Sequence, residues 1–88
     1  MNYKEIGQRI RKYRKQMNLS QEELAEKIGI STTHMSHIET GSTKLSLPVL
    51  VELAENLKVK TDYLLFSQPK IDNSETIKLL QQAISSLQ

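Results

Sequence analysis

The run Ser20-Gln21-Glu22-Glu23-Leu24-Ala25-Glu26-Lys27-Ile28-Gly29-Ile30-Ser31-Thr32-Thr33-His34-Met35-Ser36-His37-Ile38-Glu39-Thr40-Gly41 holds two helices with almost nothing between them. Ser20 followed three residues later by Glu23 is a capping box, in which each side chain satisfies the other residue's backbone N–H. Leu24, Ala25 and Ile28 then recur at helical spacing and supply a buried face, and Gly29 ends the helix. Only Ile30 separates that glycine from Ser31, which caps a further helix running from Thr32 to about Thr40 and stopped by Gly41. A short helix, a tight turn containing glycine and a second short helix form a recognisable supersecondary unit.

Outward from this unit the same signals repeat. Asn2, with Glu5 three residues on, starts a first helix whose core stripe is Ile6, Ile10, Tyr13 and Met17. Asn18 is suited to the left-handed conformation that ends a helix, and Leu19 folds the turn back onto the core. On the C-terminal side, Ser46 and the early Pro48 start a fourth helix in which Leu47, Leu50, Val51, Leu53, Ala54 and Leu57 predict heavy burial. Thr61 is read as the cap of a fifth, short helical turn carrying Tyr63, Leu64, Leu65 and Phe66. Residues 67–72 lack periodicity and contain Pro69, which predicts a linker. Beyond it Ile77, Leu80, Ile84 and Leu87, spaced three, four and three apart as in a coiled-coil seam, predict a C-terminal helix over residues 73–88. The expected architecture is therefore all-α: a compact five-helix domain over residues 1–66, a linker over 67–72 and a short C-terminal helix.

The composition narrows the chemistry. A chain of 88 residues has room for one small domain and little cleft volume. With no cysteine there is neither a disulfide framework nor a thiolate metal site, which fits a reducing cytoplasm. No apolar run approaches the roughly 20 residues that cross a bilayer, and the first residues do not resemble a signal peptide, so the expectation is a soluble, cytoplasmic protein with no membrane partner. The net charge of +2 is small but uneven: residues 1–20 carry Lys4, Arg9, Arg11, Lys12, Arg14 and Lys15 against Glu5 alone. A local basic face on a nearly neutral body suits contact with a phosphate backbone, although a solvated helix surface gives the same pattern.

On the third helix Met35 and Ile38 mark the inward side, and Thr32, Thr33, Ser36 and His37 fall together on the opposite one. Hydroxyls bond several base edges or touch a thymine methyl, and an imidazole donates to a guanine acceptor, so this face is chemically fit to read a major groove. His34 and His37 lack a third ligand, since Glu39 lies near the inward side; no metal site is expected. No Ser-His-Asp spacing, glycine-rich phosphate loop or carboxylate pair is evident either, and no enzyme is expected.

The whole pattern resembles the phage-repressor and Cro-like helix-turn-helix family of DNA-binding regulators, also called the xenobiotic-response-element family. The resemblance covers residues 5–66 and rests on Ile6-Gly7-Gln8-Arg9-Ile10-Arg11, Leu19-Ser20-Gln21-Glu22-Glu23-Leu24-Ala25, Gly29-Ile30-Ser31, Ile38-Glu39-Thr40-Gly41 and Leu53-Ala54. It implies a third helix that enters the major groove with Thr32, Thr33, Ser36 and His37 at the base-reading positions. It also implies phosphate contacts from Gln21, which buttresses the first base contact, from Ser42, Thr43 and Lys44 through backbone N–H groups and the lysine, and from Arg11. Arg14 and Glu39 match a largely buried ion pair joining the first and third helices. Arg9, Lys12 and Lys15 are read as a solvated face. Thr40 stands where Asn often precedes the glycine, and the histidines on the reading helix are unusual, which leaves the target sequence open.

The resulting expectation is a sequence-specific regulator of transcription, a repressor in preference to an activator. It would act as a homodimer on a palindromic double-stranded operator, paired through Ile77, Leu80, Ile84 and Leu87 or else through the fourth and fifth helices. It would need no cofactor and take no small-molecule ligand. The competing expectation is a protein-interaction module, such as an antitoxin or anti-repressor, that uses the C-terminal helix to bind a different protein.

Overall fold

The computed structural model describes residues 1–68 and 73–87, and within the last helix the side chains of residues 79–86. Residues 69–72 of the expected linker, the side chains of Ile77 and Leu87, and Gln88 lie outside the described residues. The structure is all-helical: α1 (Tyr3–Gln16), α2 (Gln21–Ile28), α3 (Thr32–Thr40), α4 (Leu47–Leu57), α5 (Thr61–Leu65) and α6 (Asn73–Leu87).

Each of the first four helices starts on a side-chain cap. The Asn2 carboxamide oxygen and the hydroxyls of Ser20, Ser31 and Ser46 accept from the backbone N–H three residues on, satisfying one of the orphan donors of a helix N-terminus. At Ser20 the box is reciprocal, with the Ser20 N–H donating to Glu23 Oε1 at 3.0 Å. The Ser20 backbone N–H foremost, and the Ser20 side chain after it, hold the exposed Glu23 carboxyl below its ordinary pKa. At Asn2 the box is only half made: the Glu5 carboxylate faces Arg9 instead, at 3.6 Å. Thr61 does not cap α5. It is the first helical residue, Lys60 holds the cap position, and no side chain bonds there.

The same four helices end alike. After each comes a residue with positive φ, namely Asn18, Gly29, Gly41 and Lys58. The N–H of the following residue then reaches back to the carbonyl five positions earlier: Leu19 to Arg14, Ile30 to Ala25, Ser42 to His37 and Val59 to Ala54. Three of these following residues, Leu19, Ile30 and Val59, are apolar and pack on the core, so the turns that end α1, α2 and α4 also aim the next helix.

The core is Ile6 and Ile10 from α1, Leu24 and Ala25 from α2, Met35 and Ile38 from α3, Leu50, Leu53, Ala54 and Leu57 from α4, and Leu64 from α5. Fully burying one such Leu, Ile or Met contributes roughly 1.5 to 3 kcal/mol. Helix α1 packs on α3, α5 and α4, while α2 packs on α3 and α4. Two residues expected in this core are not in it: Leu47 is 71% exposed, and Val51, one turn later, is exposed as well. The stripe that α4 buries runs through Leu50, Leu53, Ala54 and Leu57, and its first turn projects past that contact. Among the described residues no helix is long and apolar enough to cross a membrane.

Candidate nucleic-acid interface

Helix α3 is fixed on three sides. Met35 and Ile38 press it into the core, and the Arg14–Glu39 pair locks its C-terminal turn to α1. Arg14 Nε donates to Glu39 Oε2 at 2.7 Å and Nη2 to Oε1 at 3.0 Å, while Nη1 donates to the Leu19 carbonyl at 2.8 Å. Both residues are buried, at 7% and 4% exposure, so the two charges are held by each other in a site with little solvent screening. The backbones themselves come close. A Cβ on Gly7 would collide with the carbonyl oxygens of Ile38 and Glu39, the latter at 2.5 Å, and one on Gly41 would stand 2.5 Å from the Cα of Lys4. Glycine at both places lets α1 and α3 approach without a side chain between them.

With its inner side so occupied, α3 presents Thr32, Thr33 and His37 exposed, with Ser36 and His34 half-buried beside them. From Ser31 to Leu45 the only acid in the sequence is Glu39, and its carboxylate is withdrawn into the ion pair. The outward face therefore offers hydroxyls and imidazole with no negative charge to repel a phosphate backbone. Among the described residues no three His, Asp or Glu side chains gather into a metal-binding group.

The surroundings of this face differ in detail from the sequence reading. Gln21, at the first turn of α2, donates from Nε2 to Glu39 Oε1 at 3.1 Å. Its amide is thus oriented by the buried ion pair, and the remaining N–H and the oxygen stay available at the surface. In the loop after α3 the Ser42 N–H is committed to His37 O at 2.9 Å. Its hydroxyl lies 2.8 Å from that of Thr40, which in turn donates to Ser36 O at 3.0 Å. These bonds tie the loop to the end of α3 and engage both the N–H and the hydroxyl of Ser42, which leaves the half-buried Thr43 and the exposed Lys44 as the neighbouring groups. Arg11 is exposed on α1, one turn after Gly7, on the flank that meets α3.

Three residues carry roles that the sequence did not disclose. Lys4 is exposed and its backbone abuts Gly41, which puts it beside the loop of Ser42 and Lys44. Gly7 is the crossing point of α1 and α3. Arg9, expected in a solvated face, is instead largely covered and bonds to the carbonyls of Leu64 and Leu65 and the hydroxyl of Ser67. All three depend on contacts distant in sequence, and local periodicity carries no record of those.

Comparison with known proteins places this geometry. Residues 10–64 match the family described as helix-turn-helix. The transcriptional regulator SinR of Bacillus subtilis is 36% identical over 87 residues, covering 92% of this chain and 78% of its own length; the chain spans 54% of another of its curated relatives. The structure of SinR, described as the master regulator for biofilm formation, in complex with DNA superposes with a TM-score of 0.66 at 40% identity, over 69% of this chain and 98% of that one. The P22 c2 repressor bound to a synthetic operator superposes with a TM-score of 0.64 at 32% identity, over 67% of this chain and 89% of that one. The match runs through α2, the turn at Gly29 and α3, and on it the chain belongs to the phage-repressor and Cro type of helix-turn-helix transcription regulators.

Proposed function

We propose that the chain represses transcription by inserting α3 into the major groove of a double-stranded operator, with Thr32, Thr33, Ser36 and His37 reading base edges. One observation carries this: the exposed, acid-free outer face of α3, whose inner side is fixed to α1 by the Arg14–Glu39 pair and the glycine contacts. Gln21, Ser42, Thr43, Lys44 and Arg11 border that face, and we assign them the phosphate contacts that set register without reading sequence. Lys4 joins them by its place against Gly41. The role is binding, not catalysis, and it places the protein in the cytoplasm with the DNA.

A single domain offers few base contacts, each good bidentate one giving about 1 to 3 kcal/mol of discrimination, so two copies on a palindrome gain specificity that one lacks. Helix α6 is the pairing element in this reading. Leu80 and Ile84 stand four apart and are exposed, as does the neighbouring Leu79, and pairing would remove them from water. The alternative of a protein-interaction module is not favoured, because the matched relatives carrying this unit are DNA-binding regulators.

Selection of bound sites from random duplex, repeated at two salt concentrations, tests the assignment. One enriched palindrome is expected. Thr33→Ala and His37→Ala each relax preference at one base position, while Lys44→Ala weakens all sites evenly and reduces the salt slope by about one. An even loss of affinity in all three variants would overturn the division of roles.

A further inference from the structure

The point at which the chain leaves the domain is held by a built clamp. Arg9 Nη1 donates to the carbonyls of Leu64 at 3.3 Å and Leu65 at 3.1 Å, and Nη2 donates to Ser67 Oγ at 2.9 Å. The Glu5 carboxylate lies 3.6 Å from the same Nη2 and pairs with its charge. The two carbonyls are at the end of α5, where no further helical turn supplies donors, and Phe66 turns the backbone out into an extended conformation. A second tie follows, since Gln68 Nε2 donates to the carbonyls of Asp62 at 3.3 Å and Phe66 at 3.4 Å. Residues 66–68 are thereby fastened to α1 and α5 after the last helix of the domain has ended. Only four residues separate Gln68 from the start of α6 at Asn73. Their reach is at most about 17 Å, so a fixed departure point confines where α6 begins.

We infer that Arg9 is a positioning residue for the dimer, fixing the departure of the tail and so the separation of the two α3 helices on DNA. The inference rests on the pairing through α6 proposed above. In that arrangement the second domain meets its half-site at an effective concentration set by the freedom of the connection. A tight connection concentrates binding on one spacing, with reading helices about 34 Å apart for adjacent turns of duplex. A loosened one spreads the same binding over several spacings and weakens the preferred one. The charge of Arg9 plays no part in touching DNA here, because its guanidinium is spent on the protein's own carbonyls on the α5 side of α1, away from Arg11 and Gly7.

The test uses the full chain and four duplexes: a single half-site, the selected palindrome, and that palindrome lengthened and shortened by one base pair. Arg9→Gln keeps a polar side chain too short to span both carbonyls and Ser67. It is expected to bind the half-site within about threefold of wild type, to lose about tenfold on the palindrome, and to discriminate between spacings by less than about threefold. Ser67→Ala combined with Gln68→Ala changes only exposed residues and cannot unfold the core, and it is expected to relax spacing in the same direction by a smaller factor. Sedimentation of wild type and variants runs alongside. A dimeric Arg9→Gln protein with wild-type spacing preference overturns the inference, as does a variant that loses half-site and palindrome affinity equally. A monomeric wild-type chain on and off DNA overturns the pairing through α6 and this inference with it.

Discussion

The Glu39 carboxylate accepts from Arg14 twice and from Gln21 once, so one buried side chain joins α1, α2 and α3 and orients an amide at the protein surface. Glu39→Gln would strand the Arg14 charge in a site with little water, and the expected cost is about 3 to 5 kcal/mol, read from urea unfolding. Gly7→Ala, which puts a methyl into the carbonyls of Ile38 and Glu39, is expected to cost about 2 to 3 kcal/mol and to impair DNA binding by displacing α3. Glu23 gives a pH dependence. Its pKa in the folded chain is depressed by the bonds to Ser20, so its contribution to stability is complete above its unfolded pKa and is lost as pH falls through the folded one. The difference in urea midpoint between wild type and Glu23→Gln should therefore be largest near neutrality and close as the solution is acidified below the ordinary carboxylate range. The Arg14–Glu39 juxtaposition was legible only through family resemblance, since the two lie 25 residues apart; the attachment of Gln21 to it was not legible at all.

At the scale of the element, capping chemistry made α1 to α4 readable. Asn or Ser at the starts of all four, and Asn18, Gly29 and Gly41 after α1, α2 and α3, are local signals that mark those ends within two residues, whereas nothing in the sequence marked Lys58 as the end of α4. Reading failed where local chemistry is silent. Helix α5 begins without a side-chain cap, so the hydroxyl of Thr61 was misleading, and α4 carries more apolar residues than its neighbours cover, so Leu47 could not be told from Leu50 by periodicity. The helix ends also separate structure from function. Leu19, Ile30 and Val59 follow their left-handed residues and pack inward, whereas after α3 that place is taken by Ser42, and the chain enters the loop that carries Lys44. Lys58 is a non-glycine residue at φ +58, a conformation that disfavours a Cβ by roughly 1 to 2 kcal/mol. Lys58→Gly is expected to raise stability by up to about 1 kcal/mol, measured as an increase in thermal midpoint with DNA affinity unchanged.

At the scale of the molecule, the basic excess in the first 20 residues divides among three directions once α1 is formed. Arg14 points into the core, Arg9 clamps the end of α5, and Arg11 with Lys4 borders the α3 face. The sequence revealed the excess, but dividing it required knowing which helix lies on each flank of α1. The tail was legible as a helix from its spacing, and what it packs against is a question of assembly. If α6 pairs two copies, Leu80→Asp with Ile84→Asp should yield monomers by sedimentation and weaken the palindrome by about a hundredfold while leaving half-site affinity intact.

Titration of the isotope-labelled full chain with its selected duplex, followed by amide chemical shifts, tests most directly whether α3 is the reading element. The largest changes should fall on Thr32 to His37 and on Ser42 to Lys44, with Gln21 and Arg11 next and the residues of α4 little affected. A pattern in which α3 stays unperturbed while another face of the domain responds would contradict it.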